Sequence, residues 1–520
     1  MGPVQHFGAV LTLNARLFPE RVGAADLKRA MTFPQWNARA CRLANGLVGL
    51  GLAKGDRVAV LAYNRVEWLE IYAAVAKAGL VAVPVNFRLV SAEIAYIIDN
   101  CEARAFIVEN ELAGAVEEVR TGLPVPRGNY VLLGAAAGRA GYRAYEDLIA
   151  AAADSEPDVA VSPGDCWTLM YTSGTTGKPK GAIRSHLGSA LLSLVTEVEL
   201  GFSRRDSGLL VMPMCHANSL FFLGALTYCG APVTVYSRKS FDAEHMLRTL
   251  AQTGATFTSL VPTHFIMMLA LPAAIRARHN VERVAKLMIS SAPARRDTKL
   301  AIMEYFSNSG LFELYGSTEA GWVTMLQPEE QLSKLGSVGR ECVGSRRVRL
   351  VDDQGNEVAD GEAGELYSCN PYTFDGYWKL PEQTAQAFRG DYCTVGDIAR
   401  RDGDGFIHLV DRKANMIISG GENVHPSEVE NLIGAHPAVK EVAVVGIPHV
   451  KWGESVHAVV VLHDGAAAGE AELIDWAKAR MAGYKRPRSL TFIRDEDMPR
   501  TATGKILHRV LKLRFSERKT

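Results

Sequence analysis

Residues 171–181 read YTSGTTGKPKG, and this stretch restricts what the chain can become more than any other. Gly174 and Gly177 let the backbone turn tightly enough to aim N–H groups at anionic oxygens. Thr172, Ser173, Thr175 and Thr176 add hydroxyl donors, and Lys178 and Lys180 add positive charge, so a polyphosphate is the expected guest. A plain surface loop would account for the glycines but not for the hydroxyls. An ordinary P-loop nucleotidase is disfavoured, because the lysine after Gly177 is followed by Pro179 where that motif carries Ser or Thr. The apolar run CWTLMYT leads into the loop, and a strand that delivers a phosphate loop is the expected placement in an α/β sheet.

The preceding residues read the same way. RVAVLAY at 57–63, LVAVPV at 80–85 and ARAFIV at 103–108 have strand character, and residues 66–79 and 91–100 have helical periodicity between them. This βαβαβ order predicts a largely parallel sheet covered by helices. Residues 133–165 are rich in Ala, Gly, Asp and Pro and are expected to form a surface connection. Beyond residue 411 a short helix near 427–433, strands near 441–447 and 455–462 and an amphipathic helix near 470–481 predict a small α+β domain.

At 520 residues the chain exceeds what one hydrophobic core supports, so at least two domains are expected. Lys plus Arg and Asp plus Glu both total 57, which leaves no general basic field for nucleic acid or an anionic membrane. The eight cysteines are scattered singly, without a CxxC pair, which argues against zinc and against a disulfide framework. The first residues lack a basic segment followed by a long apolar run, and no stretch is long enough to span a bilayer. A cytoplasmic protein is expected.

The phosphate loop resembles that of the adenylate-forming enzymes, which include the acyl-CoA and aryl-CoA synthetases. Four further blocks follow in that superfamily's order: YGSTE at 315–319, TVGD at 394–397, DRKANMIISGGENVHPSEVE at 411–430 and PRTATGK at 499–505. The resemblance runs from about the first 30 residues to the C-terminus. It implies an α/β fold with a large N-terminal domain of parallel-rich sheets covered by helices, residues 1–411, which holds ATP and the carboxylate. A hinge at 412–414, centred on Ala414, would then lead to a small mobile α+β lid, residues 415–520. The implied reaction is ATP-dependent ligation of a carboxylic acid to CoA through an acyl-adenylate, with Mg2+ accompanying ATP.

Carried over residue by residue, the resemblance gives Glu319 to the metal, Thr318 to the α-phosphate, and Lys505 to the carboxylate and α-phosphate oxygens during adenylation. Tyr315 matches the aromatic residue that stacks on adenine, with Glu313, Gly316 and Ser317 beside it, and Ser291, Ala292 and Pro293 match the loop on the other face of the base. Asp397 would accept both ribose hydroxyls, a role suited to an acceptor-only carboxylate, and Arg412 would reach the ribose as well. Arg88, Ser419, Gly420, Gly421, Trp452, Tyr484, Arg486 and Arg488 correspond to residues around CoA in aryl-CoA ligases.

His216 would gate or line the acyl pocket, with Ala217, Asn218, Leu314, Gly321 and Trp322. Gly321 leaves room, Trp322 offers a flat wall, and Asn218 suggests a polar group on the substrate, so an aryl or medium-sized acid is expected. Two alternatives stand beside CoA ligation: an adenylation enzyme that loads a separate carrier protein, and a non-catalytic nucleotide-binding regulator. Only fifteen residues follow Lys505, so no attached carrier domain is expected, and the reading admits a homodimer.

Overall fold

The strand and helix alternation read between residues 57 and 108 is present in the computed structural model, which describes residues 6–134, 139–172, 178–290, 294–419, 422–449, 452–478, 480–481, 483–501 and 504–516. Strands Arg57–Leu61, Val81–Val85 and Ala103–Glu109 pair in parallel, and helices Glu67–Lys77 and Ser91–Asn100 connect them. Every residue of Val81–Val85 and of Glu67–Lys77 is buried, as expected of a central strand and a helix enclosed on all sides.

Among the described residues these strands belong to an eight-stranded sheet, and a second sheet has nine strands. In the first, Cys166–Thr172 pairs in parallel with Val81–Val85 and antiparallel with Lys180–Ser185, and the short strand Gly376–Tyr377 pairs with Lys180–Ser185. The phosphate loop therefore joins the two strands of a hairpin. In the second sheet Lys286–Ser290 and Gly310–Ser317 run in parallel, and Gly321–Leu326 turns back antiparallel. The largest core cluster includes Trp36, Trp68, Tyr72, Trp167, Phe222 and Trp322, drawn from helices and strands spread over nearly 300 residues of sequence.

The connection expected at 133–165 is less irregular than its composition suggests. It contains the strand Arg143–Ala144 and the helix Tyr145–Ala150. The cause is tertiary: Tyr145 Oη donates to Glu70 Oε2 at 2.8 Å, on a carboxylate that is fully buried and also paired with Arg29 and Arg39. A buried ionised group needs such partners, and they pin the helix to the body of the protein.

By internal contacts the chain forms two compact units, Met1–Arg347 with Ser368–Cys393, and Val348–Tyr367 with Thr394–Thr520. Among its described residues the second contains a four-stranded antiparallel sheet, Arg349–Val351, Ala363–Tyr367, Asp397–Arg401 and Ile407–Arg412. It also contains a five-stranded sheet built on the long hairpin Val439–His449 and Gly453–Leu462, backed by helices Pro426–Gly434 and Glu470–Lys478 around Ile417, Val429, Val444 and Leu473. No described helix is long and apolar enough to cross a membrane.

Candidate active site

Glu319 stands in the turn between Gly310–Ser317 and Gly321–Leu326, and the chain holds it at both ends. Its Oε1 accepts the hydroxyl of Thr172 at 2.9 Å and the phenol of Tyr377 at 3.1 Å. Its main-chain oxygen accepts Phe374 N–H at 2.8 Å. Thr172 is the last residue of the strand that enters the phosphate loop, so the predicted metal-holding carboxylate is physically joined to the loop. Lys180, the first residue after the loop's return, has its ammonium 4.3 Å from the centre of the Tyr377 ring, and Lys178 lies 5.3 Å from that of Tyr96. Ser317 Oγ accepts Ala320 N–H at 2.9 Å and closes the turn that presents Thr318.

Beneath this turn lies Arg184, 1% exposed. Its Nη1 is 3.4 Å from the carbonyl oxygens of both Thr318 and Glu319, and its guanidinium packs 5.1 Å from the centre of Phe221. Burial pushes its pKa down to about 10. Tyr315 and Glu313 are buried on the neighbouring strand, and the Glu313 carboxylate forms an ion pair with buried Lys299. Glu313 is expected from the sequence in the nucleotide site, and here its carboxylate is committed to Lys299, since a buried charge needs a partner. Gly316 is the exposed exception on this strand.

Among the residues expected to line the acyl pocket, His216 is the N-cap residue of helix Ala217–Tyr228, and His216, Ala217 and Asn218 are half-buried between the buried Cys215 and Ser219. Burial first, and then the charge of Arg88, push the His216 pKa down to about 4, so the imidazole is neutral at pH 7. The same interaction puts Arg88 near the predicted gate. Asn218 donates its amide to Ser259 Oγ at 3.1 Å and to Ser290 Oγ at 3.0 Å. Leu314 is buried, and Trp322 packs against Phe221 and Phe222 at ring separations of 5.1 Å and 5.4 Å. Gly321 does not leave the room expected of it: its φ is +71°, and a Cβ there would meet the Tyr372 ring at 2.7 Å. Its smallness is required by packing and backbone, and Tyr372 occupies the space.

In the second unit, Asp397 and Arg412 are register partners on adjacent antiparallel strands, and Ala414 falls in the 3-10 turn Lys413–Asn415. Trp452 and Arg488 come together, with the guanidinium 4.6 Å from the ring centre. Arg486 spends its Nε on Met481 O at 3.0 Å, Tyr484 is exposed, and Ser419 is buried in register with Gly453. Lys505 is exposed on a turn in which Thr501 N–H donates to its carbonyl at 2.7 Å. Ser173, Gly174, Thr175, Thr176, Gly177, Ser291, Ala292, Pro293, Gly420 and Gly421 lie outside the described residues.

The contact between Thr172 and Glu319 joins two of the motifs that carry the family resemblance, and comparison with known proteins agrees with that resemblance. Residues 11–378 match the model of the AMP-binding enzyme, and residues 428–505 match that of the AMP-binding enzyme C-terminal domain. The chain belongs to the AMP-binding enzyme family. It is 35% identical to a feruloyl-CoA synthase from an Amycolatopsis species over 98% of this chain and 99% of that one. It is 34% identical to a long-chain-fatty-acid–CoA ligase of Mycobacterium tuberculosis over 97% of each chain. The fold matches the crystal structure of an anthranilate CoA ligase in complex with anthranoyl-AMP, with a TM-score of 0.88 at 28% identity over 99% of this chain and 98% of the other.

Two residues in this family member's site escaped the sequence reading. Tyr377 lies in GYWK, 58 residues beyond Glu319, and nothing in local spacing shows that its strand lies beside Lys180–Ser185. Arg184 did carry a signal: it is a charge four residues past Lys180 in the short strand KGAIRS, after the small and apolar Gly181, Ala182 and Ile183.

Proposed function

We propose that this chain joins a carboxylic acid to CoA in two steps, with the adenylate retained between them. In the first, a carboxylate oxygen bonds to the α-phosphorus of ATP, the bond from that phosphorus to the bridging oxygen breaks, and pyrophosphate leaves. In the second, the CoA sulfur bonds to the acyl carbon, AMP leaves with the C–O bonding pair, and the thiol proton goes to solvent. The observation that carries this reading is the Thr172–Glu319 contact, which brings the end of the phosphate-loop strand and the turn carboxylate to one place.

Glu319 suits a magnesium ion that arrives with the triphosphate, because Mg2+ takes one or two carboxylates and keeps its remaining positions for phosphate oxygens and water. When bound, that ion neutralises charge on the phosphates. Lys178 and Lys180 supply fixed positive charge beside the loop, and Lys505 supplies it at the α-phosphate and carboxylate during adenylation. Asp397 and Arg412 hold the ribose. Residues 415–520 move about Ala414 as a lid, so that Lys505 serves the first step and the Trp452–Arg488 pair, with Arg88, receives CoA for the second.

The acid is aryl or medium-sized. The wall of Trp322, Phe221 and Phe222 supports this, and feruloyl and anthranilate stand in the names of two relatives; the Asn218 amide N–H groups are committed to Ser259 and Ser290 and add no support. The protein is proposed to work in the cytoplasm. Purified protein incubated with ATP, Mg2+, CoA and a panel of aryl, medium and long-chain acids should release pyrophosphate only with an acid present, and should form free acyl-CoA. Pyrophosphate release without acyl-CoA would favour a carrier protein as acceptor. No acid-dependent pyrophosphate would leave only a nucleotide-binding role.

A further inference from the structure

We propose that Tyr377 is a positioning residue that aims the Glu319 carboxylate at the metal and keeps the Lys180 cation apart from it. The proposal rests on the reading of Glu319 as the metal-holding carboxylate. An ionised carboxylate is a pure acceptor with about four lone-pair directions. Thr172 and Tyr377 both direct hydroxyls at one of its oxygens, Oε1. That convergence fixes the rotation of the carboxylate and turns Oε2, which takes neither hydroxyl, to the role of cation ligand. Both donors are neutral, so they orient the group without placing a competing positive charge on it.

The phenol is itself held firmly. Tyr377 is 7% exposed, its N–H donates to Thr384 Oγ1 at 2.8 Å, its ring packs edge-on against Phe374 at 4.8 Å, and its strand pairs with Ala182 and Ile183. Phe374 N–H grips the Glu319 carbonyl, so the short segment 374–377 contacts both the backbone and the side chain of the same glutamate. The opposite charge is handled by the same ring. Lys180 sits over its face at 4.3 Å, where the ring quadrupole attracts an ammonium. A cation over the face also withdraws electron density from the ring and makes the phenolic O–H a better donor to Glu319. One side chain thus accommodates a cation meant for phosphate and an anion meant for metal without letting the two neutralise each other.

The test compares full-length parent, Tyr377→Phe and Glu319→Gln for binding of α,β-methylene ATP, which is not cleaved, by calorimetry with Mg2+ and with EDTA. The quantity read is the metal-dependent gain in affinity. Tyr377→Phe keeps the ring and its hold on Lys180 and removes only the hydroxyl. The gain should fall on the order of tenfold, the worth of one hydrogen bond to a charged group. Affinity in EDTA should stay within about twofold and the melting temperature within about 2 °C, since one buried contact is removed with no change in ring volume. An unchanged gain in Tyr377→Phe, with the gain abolished in Glu319→Gln, overturns the proposal and leaves the reading of Glu319 intact. A gain that survives Glu319→Gln overturns that reading and the proposal with it. An equal loss with Mg2+ and with EDTA also overturns the proposal, because Tyr377 would then serve the nucleotide pocket as a whole.

Discussion

The indole N–H of Trp322 donates to the buried hydroxyl of Thr196 at 2.8 Å, which ties the expected wall of the acyl pocket to helix His186–Leu200. Trp322 is 5% exposed and meets two phenylalanines, so the proposed pocket wall is also part of the core. Trp322→Ala should therefore cost about 3–5 kcal/mol in denaturant unfolding. It should also reorder kcat/KM across an acid panel by about tenfold or more in favour of bulkier acids. Thr196→Val keeps the wall but strands the indole N–H, and should cost about 1–3 kcal/mol with no reordering. A uniform activity loss across all acids in Trp322→Ala would show that the residue fills core and does not select substrate.

Lys505→Ala should slow acyl-adenylate formation by about 10² to 10³, the scale for removing one preorganised donor of charge. Thioester formation from supplied acyl-adenylate should survive, because the proposed lid carries Lys505 away for that step. Single-turnover assays of each half-reaction measure the two effects separately, and equal losses would contradict the two-position lid.

Arg88→Ala and Arg488→Ala should each raise KM for CoA by about tenfold, the worth of a charge-assisted hydrogen bond, and leave KM for ATP nearly unchanged. Pantetheine, which lacks the nucleotide, should be used equally well by parent and variants. Arg486→Ala should move KM for CoA less, because the Arg486 Nε is already donated to Met481 O. Steady-state kinetics with CoA and pantetheine distinguish these outcomes.

Glu197, next to Thr196, has its pKa raised to about 7 by burial. The folded state thus retains a proton that the unfolded chain releases near pH 4.5. That contribution is fully present below the unfolded value and is lost as pH rises through about 7. Glu197→Gln stays neutral at every pH, so it should raise the melting temperature at pH 8 by about 2–4 °C, the effect of ~1 kcal/mol in a large domain, with no gain at pH 4. Thermal melts of both proteins at the two pH values check this, and an equal shift at both would point to packing and not to the carboxyl.

The parts of the molecule written in local sequence were legible. Val81–Val85, Ser91–Asn100 and Cys166–Thr172 appear where apolar pattern and capping place them, because such elements are fixed by neighbours in the chain. Thr172 and Glu319 were legible as members of motifs, but their hydrogen bond spans 147 positions and only folding creates it. Tyr377 was invisible for the same reason in stronger form, since its partners Glu319, Lys180 and Thr384 belong to three separate segments. Helix Tyr145–Ala150 was missed because a buried carboxylate, Glu70, outweighs the loop-like composition around it. Gly321 was misjudged because a one-letter string shows an absent side chain but not the ring that fills the gap.

The packing around that glycine has a consequence for how the protein can change over generations. A methyl group on Gly321 would strike Tyr372, and one on Gly316 would come within 2.3 Å of the Gly321 carbonyl, so neither glycine of the hairpin accepts even the smallest side chain without a shift of its surroundings. Change in the proposed acyl pocket is not expected to begin at those two positions by single substitutions. It is expected to begin instead on helix Ala217–Tyr228, at Ala217 and Asn218, which are half-buried. Diversification among descendants of this chain should be concentrated on that helix, while the hairpin stays frozen.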